Sequence, residues 1–215
     1  MKKKNPHILK KYAIILFAAW LLAGCTQTGE QSSGETKKTE SFTADTNTVI
    51  LTRENGLIGY ICEEFDESLY NFADFEKMLN EAVEDYNSQM GVGGIEVREC
   101  ALSDGLIRIS ISYAEAEDYE KFNGAQFLYD ETPEEGARRF TLPANLPLVD
   151  AHDPGNTIAL SELDKEKGYR ILITDDDSNI RIHGSDIYYI GEGDTLVEDG
   201  EVATYGEASL HVIIY

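Results

Sequence analysis

Asp175-Asp176-Asp177-Ser178-Asn179 places five consecutive oxygen-bearing side chains in one stretch. Counting Asp175 as position one, oxygens fall at positions one, three and five (Asp175, Asp177, Asn179), with Asp186 at twelve. That is part of the spacing by which calcium loops ligate their ion. Position six is Ile180, where such a loop needs glycine, and the flanks alternate like strands instead of helices. Asp, Ser and Asn are also turn formers, so a hairpin turn is the favoured reading and a calcium-dependent surface protein the alternative. No metal ligand, catalytic residue or cofactor is assigned. Among the other chemistry-bearing residues, His152, His183 and His211 lie far apart. Glu63-Glu64, Glu115 with Asp118, and Glu134-Glu135 could act as paired carboxylates only if the fold set them face to face at about 5–9.5 Å. The sequence has no Gly-x-Ser-x-Gly, His-Glu-x-x-His, Cys-x-x-Cys or phosphate-cradling glycine loop. Gly91-Val92-Gly93-Gly94 follows a helical pattern instead of opening one, and reads as a helix stop.

Three thiols are present, and one has a distinctive setting. Met1 to Lys11 is basic, Tyr12 to Ala23 is apolar and uncharged, and Leu22-Ala23-Gly24 precedes Cys25. A basic segment followed by a short apolar run is a secretory signal; twelve residues fall short of the ~20 that span a bilayer. The Leu22-Ala23-Gly24-Cys25 tetrad resembles the lipobox of bacterial lipoproteins. The resemblance implies diacylglyceryl transfer to the Cys25 sulfur, cleavage between Gly24 and Cys25, and palmitate-type acyl chains holding the mature protein on a cell membrane. Two chains hold firmly where one binds marginally. The expected location is the outer, extracytoplasmic face. Thr26 to Glu40 has no apolar side chain larger than a threonine methyl, so residues 25–43 read as the lipidated cysteine and a flexible tether with a reach on the order of 20 Å. Cys62 and Cys100 could form a disulfide outside the cytoplasm; two buried free thiols are favoured.

Charge restricts the partners. The 215 residues hold 18 Lys+Arg and 40 Asp+Glu, a formal net charge of −22. Five lysines and no acid lie in residues 1–25, leaving 13 basic and 40 acidic side chains beyond, a formal −27. Such a surface repels polyphosphates, so nucleic acid is excluded as a partner. At 42% hydrophobic residues, the chain is also too apolar to be wholly disordered.

The elements that must position these groups are legible in outline. Val49–Thr52 and Leu57–Cys62 read as strands of a hairpin around Asn55-Gly56. Phe72, Phe75, Leu79, Val83 and Tyr86 form one apolar helical stripe, so a helix is expected over 72–89, capped by Asn71 and stopped at Gly91. Strands follow at Ile95–Leu102 and Leu106–Tyr113. Short helices are expected over Glu115–Asn123, burying Tyr119 and Phe122, and from Pro133, after the cap Thr132. Leu142–Thr157, with three prolines, reads as a long loop. The remainder reads as all-β, with strands at Tyr169–Thr174, Asn179–His183, Ile187–Ile190 and a central Leu210–Tyr215. The fold class is therefore α+β: antiparallel sheets, one main amphipathic helix and two short ones. Residues 1–24 are the signal, 25–43 the tether, and 44–215 a single extracytoplasmic domain.

The run Phe65-Asp66 … Leu69-Tyr70 … Phe75-Glu76 … Tyr86-Asn87, with Asp104-Gly105, Tyr113, Asp118-Tyr119 and Phe122-Asn123, resembles small surface lipoproteins of clostridial type. Ile180-x-Ile182-x-Gly184, Ile187-x-Tyr189 and Ile213-Ile214-Tyr215 extend the likeness. It implies a Gram-positive surface lipoprotein and transfers no catalytic residue. The functional expectation is a membrane-anchored, non-catalytic binding or envelope-associated module with a protein or glycan partner. After the loss of Trp20, ring platforms for a glycan must come from Tyr or Phe, with Tyr188 or Tyr189 exposed. A carboxylate-based hydrolase of wall or glycan is the enzymatic alternative.

Overall fold

A computed structural model describes residues 45–52, 56–90, 94–198, 200–204 and 210–215. The order of elements is β1 (Thr48–Leu51), β2 (Leu57–Glu64), α1 (Phe72–Met90), β3 (Ile95–Ser103), β4 (Leu106–Tyr113), α2 (Ala116–Asn123), β5 (Phe127–Glu131) and α3 (Pro133–Phe140). Then follow β6 (Pro147–Asp150), β7 (Thr157–Ala159), two 3₁₀ turns (Leu160–Glu162, Lys165–Lys167), β8 (Ile171–Thr174), β9 (Asn179–Ile182), β10 (Tyr189–Gly191), β11 (Thr195–Glu198), β12 (Glu201–Ala203) and β13 (His211–Ile214). The α+β class expected from the sequence is what the chain adopts.

Two sheets divide the strands. One runs β11-β12-β9-β1-β2-β4-β3, the other β5-β8-β13-β10-β6-β7. β1 pairs antiparallel with β2 and parallel with β9, joining the first hairpin to the C-terminal strands. The inner faces meet in one core: Val49, Leu51, Leu57, Ile109, Ile180 and Val202 from the first sheet, Phe127, Leu172, Ile190 and Ile213 from the second. The α1 stripe adds Leu79 and Val83, and α2 adds Tyr119. Alternate residues of the second sheet (Leu128, Leu148, Ile171, Ile173, Val212, Ile214) face outward into a further apolar cluster. Ala137 and Phe140 of α3, with Leu142, Leu146, Leu160 and Leu163, cover that cluster. The second sheet is thus buried on both faces. This is why β8 and β13 read as unbroken apolar runs instead of alternating ones.

Local chemistry explains the ends. The Asn71 side chain accepts the Asp74 N–H at 3.1 Å and starts α1. Glu115 and Asp118 close a reciprocal capping box on α2. Thr132 Oγ1 accepts the Glu135 N–H at 3.3 Å, with Pro133 opening α3. Asp104 and Gly105 both take positive φ (54° and 74°), the backbone of the tight turn that joins β3 to β4. Gly136 is required by space: a Cβ there would come within 2.5 Å of Ile171 Cγ2, so α3 rests directly on β8.

The structure corrects the expected long loop. Leu142–Thr157 contains β6, whose Leu148, Val149 and Asp150 pair with β10, and Thr157 begins β7. A four-residue strand that opens on Pro147 is too short to show a period, and the pairing partner lies some 40 positions downstream. β5, β11 and β12 likewise lack a sequence signal: β5 is bulged between Leu128 and Glu131, and β12 is three residues long. The Asn55 turn, the Gly91 helix stop, Gly24 and Cys25 lie outside the described residues.

Candidate functional site

The aspartate run sits where β8 leaves the second sheet and β9 enters the first. Its three carboxylates turn to three different partners. Asp175 accepts the Gln126 backbone N–H at 2.7 Å and its side-chain amide at 3.2 Å. Asp176, buried, accepts the Tyr119 hydroxyl at 2.7 Å and the Ser178 N–H at 2.8 Å. Asn179 donates to Thr46 Oγ1 and Glu201 Oε1, and Asp186 is exposed. Of the oxygens that a calcium loop would gather, Asp175 is tied to Gln126, Asp177 faces His211 and Asp186 stands in solvent, while Asn179 is engaged through its side-chain nitrogen. Among the described residues no three His, Cys, Asp or Glu side chains are gathered as a cation cage.

Asp177 faces His211, the buried histidine among the described residues. His211 opens β13 and its side chain has no exposed surface. Nδ1 lies 2.7 Å from Asp194 Oδ1, itself buried in the turn after β10. Nε2 lies 3.8 Å from Asp177 Oδ1, on a carboxylate 43% exposed. The geometry makes Nδ1–H the donor to Asp194. Burial is the largest influence on the imidazole and lowers its pKa. The hydrogen bond and charge of Asp194, with Asp177 beyond, outweigh it, so the pKa lies above the ordinary value. The cluster stitches the β10–β11 turn and the β8–β9 loop to the central strand. His183 is half-buried at the end of β9, and its N–H donates to Leu51 O. His152 is exposed in the β6–β7 turn.

The remaining candidates are engaged structurally. Glu63 accepts from the Asn47 side-chain amide, Glu115 and Asp118 form the α2 cap, Glu134 pairs with Lys165, and Glu135 accepts from Thr132. Cys62 and Cys100 are free thiols. Cys62 lies opposite Arg108 while Cys100 lies opposite Ile109 on the next strand, so the two point to opposite faces with β4 between them. Two strand spacings, about 9–10 Å, exceed the ~7 Å Cα limit of a disulfide. Burial, then Glu76 and Glu99, push the Cys100 thiol up to about 11, away from nucleophilic character.

A groove of about 680 Å³ runs between α3 and the 3₁₀ turns. Leu142, Leu160, Leu163 and Tyr169 form its apolar side, while Arg138, Lys165 and Arg170 stand along it. Five of the 13 basic residues beyond Cys25 (Arg138, Arg139, Lys165, Lys167, Arg170) fall in this one region of an acidic chain. Lys165 is held by Glu134 at 2.9 Å across the groove; Arg170 Nε lies 3.4 Å from Asp130. The Tyr169 ring packs against Tyr188, centroids 5.1 Å apart, and Tyr188 is 42% exposed. The exposed tyrosine expected of Tyr188-Tyr189 is therefore Tyr188, and it stands beside the groove. Sequence reading missed the groove, although the clustering of basic residues over 138–170 was visible in the chain. It also missed Asp194, for which no local pattern exists. The chain matches no family model, no curated protein and no solved structure.

Proposed function

We propose that this chain is a lipoprotein held by acyl chains on Cys25 at the outer face of a cell membrane, and that its folded part is a non-catalytic binding module. The groove along α3 is its ligand site. The observation that carries the binding reading is the concentration of Arg138, Lys165 and Arg170 on an apolar groove in a chain of net charge −22. The anchor rests on the basic stretch, the apolar run and Leu22-Ala23-Gly24-Cys25, and agrees with the likeness to clostridial-type surface lipoproteins. An apolar wall with a tyrosine pair and cationic side chains suits an acidic glycan, whose ring faces stack on aromatics and whose carboxylates meet guanidinium groups. A carboxylate-based hydrolase of wall or glycan is the alternative reading; Glu115, Asp118, Glu134 and Glu135, among the carboxylates it would draw on, are engaged in caps and an ion pair.

Titration of the purified full-length protein with oligogalacturonate and with a neutral oligosaccharide of the same length tests the site. The acidic ligand is expected to bind and to raise the thermal midpoint. Arg138→Ala with Arg170→Ala is expected to weaken binding at least tenfold with the fold intact. Equal binding of the neutral sugar, or full affinity in the double variant, contradicts the reading. The anchor has its own test: Cys25→Ala should move the protein from the membrane fraction to the medium or leave the signal uncleaved.

A further inference from the structure

Two large apolar side chains stand out from the body side by side. Leu69 is 72% exposed and Tyr70 59%, at the tip of the loop from β2 to α1. The tip is a built turn. Ser68 N–H and Oγ–H donate to Asp66 Oδ1 at 3.0 and 2.6 Å, and the N–H groups of Leu69 and Tyr70 donate to Asp66 O at 3.0 and 3.1 Å. Phe65 braces it from beneath, its ring 6.1 Å from Tyr70, 6.1 Å from Phe72 and 5.8 Å from Phe75. The turn therefore holds Leu69 and Tyr70 largely in solvent, with one side of the Tyr70 ring against Phe65.

The same end of the first sheet receives the chain from the N-terminal side. The described residues begin at Asp45. Asn47 Nδ2 donates to Glu63 Oε1 at 2.6 Å, and its Oδ1 accepts the Cys62 N–H at 2.9 Å. β2 ends one residue later at Glu64, and Phe65 N–H donates to Gly105 O at 2.8 Å as the loop departs. The point where residues 26–44 join the body and the apolar tip are thus a few residues apart along one strand end. An acylated Cys25 would tether the body to the bilayer at this end.

We propose that Leu69 and Tyr70 form a membrane contact that inserts shallowly into the outer leaflet to which Cys25 is anchored, so that the domain is held in one orientation on the surface. This rests on the anchor reading above. Leucine and tyrosine suit the site: an aliphatic chain enters the acyl boundary while a phenol stays at headgroup level. Glu63, Glu64, Asp66, Glu67 and Asp104 lie in the adjoining strand ends and turns. Their charge limits insertion to the two apolar residues and disfavours an anionic leaflet within about a Debye length, ~10 Å.

The sequence supplies a clean reporter. Its only tryptophan is Trp20, within the signal, so the processed parent should show no tryptophan emission. Full-length protein, processed in its host and reconstituted in phosphatidylcholine vesicles with brominated acyl chains, would be compared as Tyr70→Trp, Leu69→Trp and Val197→Trp. Val197 is 57% exposed on the edge strand at the other side of the sheet. The expected result is a blue-shifted emission from Tyr70→Trp or Leu69→Trp, quenched at least twofold by bromine, with Val197→Trp unquenched. Vesicle-bound protein in which the indoles of Tyr70→Trp and Leu69→Trp both stay solvent-like overturns the tip contact and leaves the anchor standing. A blue shift without bromine quenching marks burial against a second copy or another protein, and also overturns it. A parent that emits from Trp20 and does not float with vesicles overturns the anchor and the contact together.

Discussion

His211 shows how much one side chain can hold. Buried on both sides and bonded to a buried Asp194, the imidazole is favoured in its charged form by two carboxylates against the cost of burial. Because the folded pKa is raised, the stabilisation is complete below the ordinary imidazole pKa of about 6.5 and is lost as pH rises through the folded value. The thermal midpoint should therefore decline on the alkaline side of that window. His211→Gln should lower the midpoint and flatten the decline; a variant that keeps the wild-type slope would contradict it. Removing the partner alone, Asp194→Ala, should cost about 1–3 kcal/mol by leaving the buried Nδ1–H without its acceptor, read by chemical denaturation. Gly136 is the second residue with a definite cost. Its absent Cβ is where Ile171 Cγ2 lies, so Gly136→Ala should destabilise by about 1–3 kcal/mol as α3 is pushed off β8. A neutral substitution would mean that α3 can slide without loss. Neither role announced itself in the sequence: His211 and Asp194 are 17 positions apart, and Ile171, which fills the space over Gly136, lies some 35 positions downstream of it.

At the scale of elements, legibility followed period and caps. The α1 stripe, the alternation of Ile107, Ile109 and Ile111, and the Thr132-Pro133 start are local signals, and each gave its element within a residue or two. β6, β7 and β12 are three or four residues long and exist because a neighbour offers hydrogen bonds, so nothing local marks them. β13 belongs to the first group. Its apolar run placed it centrally, and it lies between β8 and β10, with Val212 facing one core cluster and Ile213 the other. Deleting residues 210–215 would expose both faces of the second sheet at its middle. The expected outcome is loss of cooperative unfolding in a thermal melt. A soluble chain with a sharp transition would contradict the role assigned to β13.

On the scale of the whole molecule, the architecture and the groove differ in how far apart in the chain their parts lie. The α+β architecture followed from patterns that physics writes locally. The groove did not, because it joins α3 to turns some 30 residues away, and only the uneven spread of basic residues hinted at it. The same unevenness predicts a salt effect: acidic-ligand affinity should fall as ionic strength rises, whereas a salt-independent affinity would point to apolar contact alone. The proposed location rests on Cys25, and the intact mass of the protein purified from its host reads it directly. The expected mature chain begins at Cys25, lacks residues 1–24 and carries a diacylglyceryl group on that cysteine. A chain cleaved elsewhere, or a Cys25 without lipid, would contradict it.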